Sequence, residues 1–375
     1  MKLPDWKDVK VLVTGASGFK GSWLCAALVE LGARVYGTTT GQKQPVSVYG
    51  ILELNKYLTE ITVDTTDRQQ AYDLLNYVEP DVIFHLAAVA VVPVSLRDPR
   101  RTFEVNVMGT LNILEGCRSL KLCRKLIVCS TDHVFGDIPE ENIPEGGFTE
   151  TSPVSYSGPY DTSKAAMELL MRSYHRTYHS ELPAICITRS ANVIGYGDEN
   201  QRRVVPLFVK SSLDHNCILL RYKKNGRQFI HATDLVEGYI RAADKMDVDY
   251  VAKDKNKTYP EVEEVVTPTY HFALESYENT QEPYIRMESL ANLVAAILGS
   301  KVDSAESISY APQENRVLAL NCAETRSTLG WYPRRSLREA IVQLGEWYRT
   351  GSSNRDRLKK LIQQDIAQII DGLNT

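Results

Sequence analysis

The chain reads as an α/β protein: a Rossmann-type, doubly wound parallel sheet with a smaller mixed α/β lobe toward the C-terminal end. Three observations predict this. Short strands alternate with helices from the start of the chain. The strands are nearly continuous apolar runs rather than alternating ones, as expected where helices cover both faces of a sheet. A glycine-rich turn joins the first strand to the first helix.

The elements follow in order. "VKVLVTG" (9–15) is a β-branched run ending in glycine, and "GSWLCAALVELG" (21–32) has helical periodicity closed by a glycine at the cap position. "ARVYGTTT" (33–40), "LTEITVD" (58–64) and "PDVIFHLAA" (80–88) are the second to fourth strands, with the helical stretch "RQQAYDLLNYV" (68–78) between the last two. "TFEVNVMGTLNILEGCRSL" (102–120) is a long helix leading to the strand "KLIVC" (125–129), and "AICITRS" (184–190) is a further strand. After about residue 190 the alternation loosens. "VVPLFVKSSLDHNC" (204–217) reads as helical and "RQFIHATDLVEGYIRAADKM" (227–246) ends in a helix. "SLANLVAAILG" (289–299) and "SLREAIVQLGEWYRT" (336–350) are amphipathic helices of the small lobe. Residues 247–286 pass from a Lys-rich to an acidic character and read as an insertion.

A length of 375 residues suits a large domain with a second lobe. Hydrophobic residues at 43% and charged residues at 24% are ordinary for a globular protein. A net charge of −4 offers no basic field for nucleic acid or an anionic membrane. The longest near-apolar run, "VIFHLAAVAVVPV" (82–94), is too short to span a bilayer, and "MKLPDWKDVK" lacks the apolar segment of a signal peptide. Seven cysteines without a CxxC pair argue against a disulfide framework and a metal site. A reducing, cytoplasmic setting is expected.

"TGASGFKGS" (14–22) sets Gly15, Gly18 and Gly21 between the first strand and its helix. Glycines there allow a tight turn and close approach to a pyrophosphate, whose charge faces the free N–H groups of the helix start. Ser17, Phe19 and Lys20 of the same loop complete the expected cofactor contact. The spacing is GxxGxxG, which points to the short-chain dehydrogenase/reductase type. "YGTTTGQK" (36–43) carries neither an acid nor a base at the end of the second strand, where NAD and NADP enzymes differ. Lys20 and Lys43 either reach a 2′-phosphate or are solvated; Asp64 either bonds an adenine amino group or caps the next helix. "YDTSK" (160–164) puts Tyr160 and Lys164 on one helix face. A cation beside the phenol favours phenolate, so Tyr160 can take a proton from a substrate hydroxyl. "STDHVFG" (130–136) leaves Thr131, Asp132 and His133 at the end of a buried strand.

Together, "TGASGFKGS", "HLAA" (85–88), "NVMGT" (106–110), "STDHVFG", "YDTSK" and "RSANVIGYGD" (189–198) resemble the extended short-chain dehydrogenase/reductases that act on nucleotide sugars. The resemblance covers roughly residues 9–246, and "TLGWYPRRSLREAIVQLGEWY" (328–348) is similar to the family's C-terminal end. "GFKGSWL" (18–24) and "ANVIGYGD" (191–198) are most similar to CDP-glucose 4,6-dehydratases. The resemblance implies an NAD(P)-binding domain of residues 1–190 plus about 228–246, and a nucleotide-sugar lobe of 191–227 and 247–375. It implies NAD as cofactor, with NADP possible, and adds Leu86, Ala87 and Ala88 to the cofactor contacts. It also implies a homodimer, to which helices 102–120 and 160–180 could contribute the face.

The same resemblance gives roles to the strand end. Thr131 would bond the sugar's 4-hydroxyl and Tyr160 would take its proton as C4 is oxidised. Asp132 would protonate the departing 6-hydroxyl, and His133 would stand where the family carries Glu or Lys to remove the C5 proton. Imidazole suits a base at neutral pH. The alternative is that His133 packs under the sheet and Asp132 caps a backbone N–H. For the nucleotide sugar the resemblance implies Ser95, Asn192, Arg203, Arg227 and His231, the two arginines as phosphate clamps. Only Ser95 is polar in "VAVVPVS" (89–95), so either the hexose pocket is apolar, or the sugar lacks a hydroxyl, or these residues pack the core. The leading expectation is an NDP-hexose 4,6-dehydratase. The others are an NADPH-dependent 4-keto-sugar reductase, a nucleotide-sugar 4-epimerase and a regulatory subunit without turnover. Asp132 favours the dehydratase over the epimerase, and "GFKGSWL" favours it over the reductase.

Overall fold

The computed structural model describes residues 6–41, 46–119, 123–220, 222–246, 266–278, 280–303 and 315–374. Seven strands form the main sheet: β1 (Lys10–Thr14), β2 (Arg34–Thr39), β3 (Thr59–Thr62), β4 (Val82–His85), β5 (Lys125–Cys129), β6 (Ala184–Ser190) and β7 (Thr269–Phe272). Their order is β7-β6-β5-β4-β1-β2-β3, every neighbouring pair parallel. The chain runs outward from β1 to β3, then returns to β4 on the other side of β1. That reversal opens a crevice past the carboxyl ends of β1 and β4, the usual ligand position in open α/β sheets.

Burial on both faces explains the apolar runs. Val11, Val13 and Phe84 join one core with α1 (Phe19–Glu30), whereas Leu12, Ile83 and Val128 join the other with α2 (Arg68–Val78), α3 (Gly109–Ser119) and α4 (Pro159–Tyr178). The first core is shared with α5 (Val204–His215), α6 (Ala232–Lys245), α7 (Met287–Leu298) and α8 (Leu337–Thr350).

Two findings differ from the sequence expectation. β7 lies inside the supposed insertion 247–286, yet it pairs with β6 from Thr269↔Ile187 to Phe272↔Ser190 and is buried throughout. The boundary at 247 is therefore corrected: 269–272 belongs to the main sheet. Its mixed letters hide it, because Thr269 and His271 are polar, and His271 is satisfied by Asn321 O at 3.1 Å and by Arg189. The rest of that expectation, at 247–265 and 279, lies outside the described residues, as does Lys43. The second finding is α9 (Arg355–Leu373), which packs on α6 and α1 with Ile362, Ile366 and Ile369 in the core.

The small lobe is stitched from strand pairs. Asn192–Ile194 runs parallel to Phe229–His231, Cys217–Leu219 parallel to Lys301–Asp303, and Gly226–Arg227 antiparallel to Ile285–Arg286. The first pair leaves β6 directly, so the lobe begins beside the crevice.

Candidate active site

The glycine loop has the shape a dinucleotide needs. Gly15 has a φ of +71°, and a Cβ on it would stand 3.1 Å from Ala87 Cα. A Cβ on Gly21 would stand 2.2 Å from Gly15 O, so only glycine lets α1 start this close to the turn. Gly18 caps α1 without a side-chain hydrogen bond, and no acidic residue occupies the first turn. The N–H groups there thus have no side-chain acceptor in the cap, as a diphosphate requires. Thr14 Oγ1 accepts from Leu86 N and Ala87 N, both at 3.1 Å, which turns 86–88 across the crevice. With two donors on that oxygen, its own proton goes to His85 Nδ1 at 2.8 Å. Burial pushes His85 down to about 3, so it stays neutral and structural. These residues fit a bound dinucleotide.

Lys20 departs from expectation. It turns inward from the loop, donates to Ser190 Oγ at 2.7 Å and lines a cavity. Burial lowers it to about 8. Asp64 does not cap α2: Asp67 does, accepting from Gln69 N and Gln70 N. Asp64 instead accepts from Thr66 N at 3.0 Å and pairs with Arg101 at 2.7 Å. Burial is outweighed by those bonds, which hold it below the usual carboxylate range.

The end of β5 resolves how neighbouring titratable groups share one cavity. In an extended strand they would point to opposite sides. Here Thr131 caps a turn of 3₁₀ helix, Asp132–Phe135, with its hydroxyl accepting from His133 N at 3.3 Å. The tight winding brings Thr131, Asp132 and His133 to the same cavity wall. Thr131 Oγ1 donates to Asp132 Oδ1 at 3.0 Å, while Asp132 Oδ2 is buried without a hydrogen-bond partner among the described residues. Leaving a buried carboxylate oxygen unpaired is costly, which marks it as facing a ligand. The reading of Asp132 as a local cap is not met.

Gly158 and Pro159 open α4, and its first turn presents Tyr160 and Asp161. The Tyr160 ring stands edge-on to His133, centroids 5.5 Å apart. Burial raises the phenol well above its ordinary value, and Thr131 and Arg203 pull it back. Lys164 lies one turn on, buried, but its Nζ donates to Cys129 O at 2.7 Å rather than to the phenol. Burial lowers Lys164 to about 8. His133 Nδ1 lies 3.0 Å from Asp161 Oδ1. Burial alone would lower the imidazole, but the charge and hydrogen bond of Asp161, helped by Asp132, raise it.

These groups open on a cavity of about 580 Å3 that reaches into the small lobe. Asn192, Arg203 and Arg227 line it. Arg203 is held by Asp198 at 3.2 Å and Arg227 by Gly226 O at 2.8 Å. Ala90, Val91, Val92 and Pro93 give the cavity that Thr131, Asp132 and His133 line an apolar stretch of wall. Two expectations fail. Ser95 is fully buried, donates to Val92 O at 2.8 Å and does not line the cavity, because 92–97 coils into a helix. His231 does not line it either; it caps α6, its ring bonded to Thr233 Oγ1 at 2.6 Å. Sequence reading passed over Asp161, although "YDTSK" contains it, and Asn315, whose amide lies 3.4 Å from His133 Nδ1. A second clamp was also missed: Asn106 bonds Val89 N at 2.8 Å and Ser163 Oγ at 2.9 Å, tying the apolar wall to α4.

The sequence pattern of the NAD dependent epimerase/dehydratase family matches residues 11–256. The chain is 25% identical over 360 residues to CDP-glucose 4,6-dehydratase of Salmonella typhimurium, covering 94% of each chain. It is 28% identical over 366 residues to dTDP-glucose 4,6-dehydratase of Streptomyces antibioticus, covering 94% of this chain and 96% of that one. In fold it is similar to a dTDP-glucose 4,6-dehydratase of Streptomyces venezuelae solved with NAD, with a TM-score of 0.74, 23% identity, and 92% and 98% of the two chains covered.

Proposed function

The chain belongs to the NAD dependent epimerase/dehydratase family, and from that premise we propose that it is an NDP-hexose 4,6-dehydratase of the CDP-glucose type. Its product would be a 4-keto-6-deoxy sugar nucleotide. One observation carries the reading: the turn at 131–133 puts a carboxylate with an unpaired oxygen and a carboxylate-bound imidazole on one cavity wall beside Tyr160. An epimerase needs Thr131, Tyr160 and Lys164 but no elimination pair; elimination of water needs an acid and a base as well.

Gly15, Ser17, Gly18, Phe19 and Gly21 would hold the dinucleotide, with Leu86 to Ala88 on the far side and Lys164 as a further contact. When bound, the nicotinamide supplies a reversible hydride acceptor. Thr131 orients the 4-hydroxyl and Tyr160 takes its proton; burial raises the phenol, and the hydrogen bond with Thr131 and the charge of Arg203 act against that rise. His133 removes the C5 proton, made acidic by the new 4-ketone. Asp132 is the acid that protonates the 6-hydroxyl as that group leaves as water. Arg203 and Arg227 face the diphosphate, and the wall at 90–93 excludes water from the sugar. A second copy pairs across 102–120 and 160–180, where Met108 and Leu169 are exposed.

The test is incubation of the purified enzyme with CDP-, dTDP-, GDP- and UDP-glucose, without reductant. Loss of water from one of them by mass spectrometry is expected. Unchanged mass with scrambling at C4 would make it an epimerase, and product only with stoichiometric NADPH a reductase.

A further inference from the structure

We propose that Asp161 is a positioning residue that fixes His133 as the proton acceptor of the cavity, holding its proton on Nδ1 and leaving the Nε2 lone pair for the substrate. The inference rests on the dehydratase reading.

The geometry leaves little choice of tautomer. An ionised carboxylate only accepts hydrogen bonds, so the imidazole nitrogen 3.0 Å from Asp161 Oδ1 carries the hydrogen; that shorter, charge-assisted contact prevails over the Asn315 amide nitrogen, itself a donor, 3.4 Å from the same Nδ1. Asp161 itself is almost wholly buried, and its other oxygen accepts from the Ser157 hydroxyl. The charge of His133, with these bonds, holds Asp161 ionised against its burial. Nε2 of His133 has no hydrogen-bond partner among the described residues, and the ring lines the cavity. The charged and titratable groups facing His133 are Asp132 on its own turn, Asp161 and Tyr160 from α4, and Arg227 from strand Gly226–Arg227. Two carboxylates outweigh one guanidinium, so the imidazole is a stronger base than a free one.

The chemistry balances without a further reagent. Nε2 takes the proton from C5, the C–H electron pair becomes the C5–C6 double bond, and the C6–O pair leaves with a proton from Asp132 as water. Asp161 makes no bond to substrate; it turns the ring and stabilises the imidazolium.

The test is heteronuclear NMR of the histidine rings in the whole protein, without sugar, followed by C5–H exchange in deuterated water. In the wild type the neutral His133 is expected in its Nδ1–H form, with a titration midpoint above about 6.5. Asp161→Asn moves that midpoint down by about one pH unit and mixes the tautomers. In the same variant C5–H exchange falls about a hundredfold, its acidic limb moves with the midpoint, and KM for the nucleotide sugar holds within about twofold. Ser157→Ala keeps the carboxylate but removes a donor to it, so the midpoint shifts slightly upward, opposite to Asp161→Asn. An Nε2–H form in the wild type, or a midpoint unmoved in Asp161→Asn, overturns the proposal. Intact NMR signatures with no water lost from any nucleotide sugar overturn the dehydratase reading and uphold the pairing.

Discussion

His133 and His231 occupy matching places and do opposite things. Each stands where a short strand gives way to a helix, each is largely buried, and each bonds through Nδ1. At His231, Nδ1 accepts from Thr233 N at 3.3 Å, so that nitrogen carries the lone pair. Burial, with Arg335 nearby, pushes the group down to about 3. At His133, Nδ1 meets a carboxylate brought in by α4, the hydrogen sits on that side, and the imidazole is raised. The chain's own next turn satisfies one ring and makes it a helix cap. A distant element satisfies the other and, in the role proposed above, makes it a base. Local sequence sets where a histidine stands; the partner decides its tautomer and its chemistry.

Several changes break or sharpen this contrast. Tyr160→Phe should have the largest effect, since His133 has no acidified C5 proton to take until C4 is oxidised: turnover falls about a thousandfold or more, measured as water loss from the nucleotide sugar. His133→Ala should lower turnover about a hundredfold, whereas His231→Ala leaves it within about twofold. The pH dependence separates the two rings as well. A base must be unprotonated, so kcat/KM rises with pH through the raised His133 value, above about 6.5. His231, at about 3, does not titrate in that range. In denaturant melts, His231→Ala should remove about 1 kcal/mol of stability, the worth of a helix cap. Ser95→Ala should cost about 1 kcal/mol or less, through its bond to Val92 O, with KM for the sugar unchanged. A raised KM there would restore Ser95 to the hexose pocket.

The contrast also shows which parts of the molecule were legible in the sequence. The glycine loop, the strands β1 to β6 and the Tyr160–Lys164 spacing are local patterns, and each is found in the fold. Thr131, Asp132 and His133 were legible as a cluster because a buried strand seldom ends in three polar residues. β7 was not legible, since its polar side chains, Thr269 and His271, are satisfied by Arg172 and Arg189 elsewhere in the chain. Ser95 and His231 misled because a polar letter near a pocket motif says nothing of which way a helical turn aims it. Asp161 was hidden by its neighbours: its value comes from His133, twenty-eight positions earlier. Lys164 was read as beside the phenol, and its ammonium turns to Cys129 O instead.

The most direct test of the account is the partition of defects in His133→Ala. Deuterium uptake at C5 and oxidation at C4, read as nicotinamide absorbance in a single turnover, are measured in one sample. Exchange slowed about a hundredfold with C4 oxidation nearly intact is the predicted result. Equal slowing of both would contradict it, and would place His133 with His231 among the residues that only hold the fold.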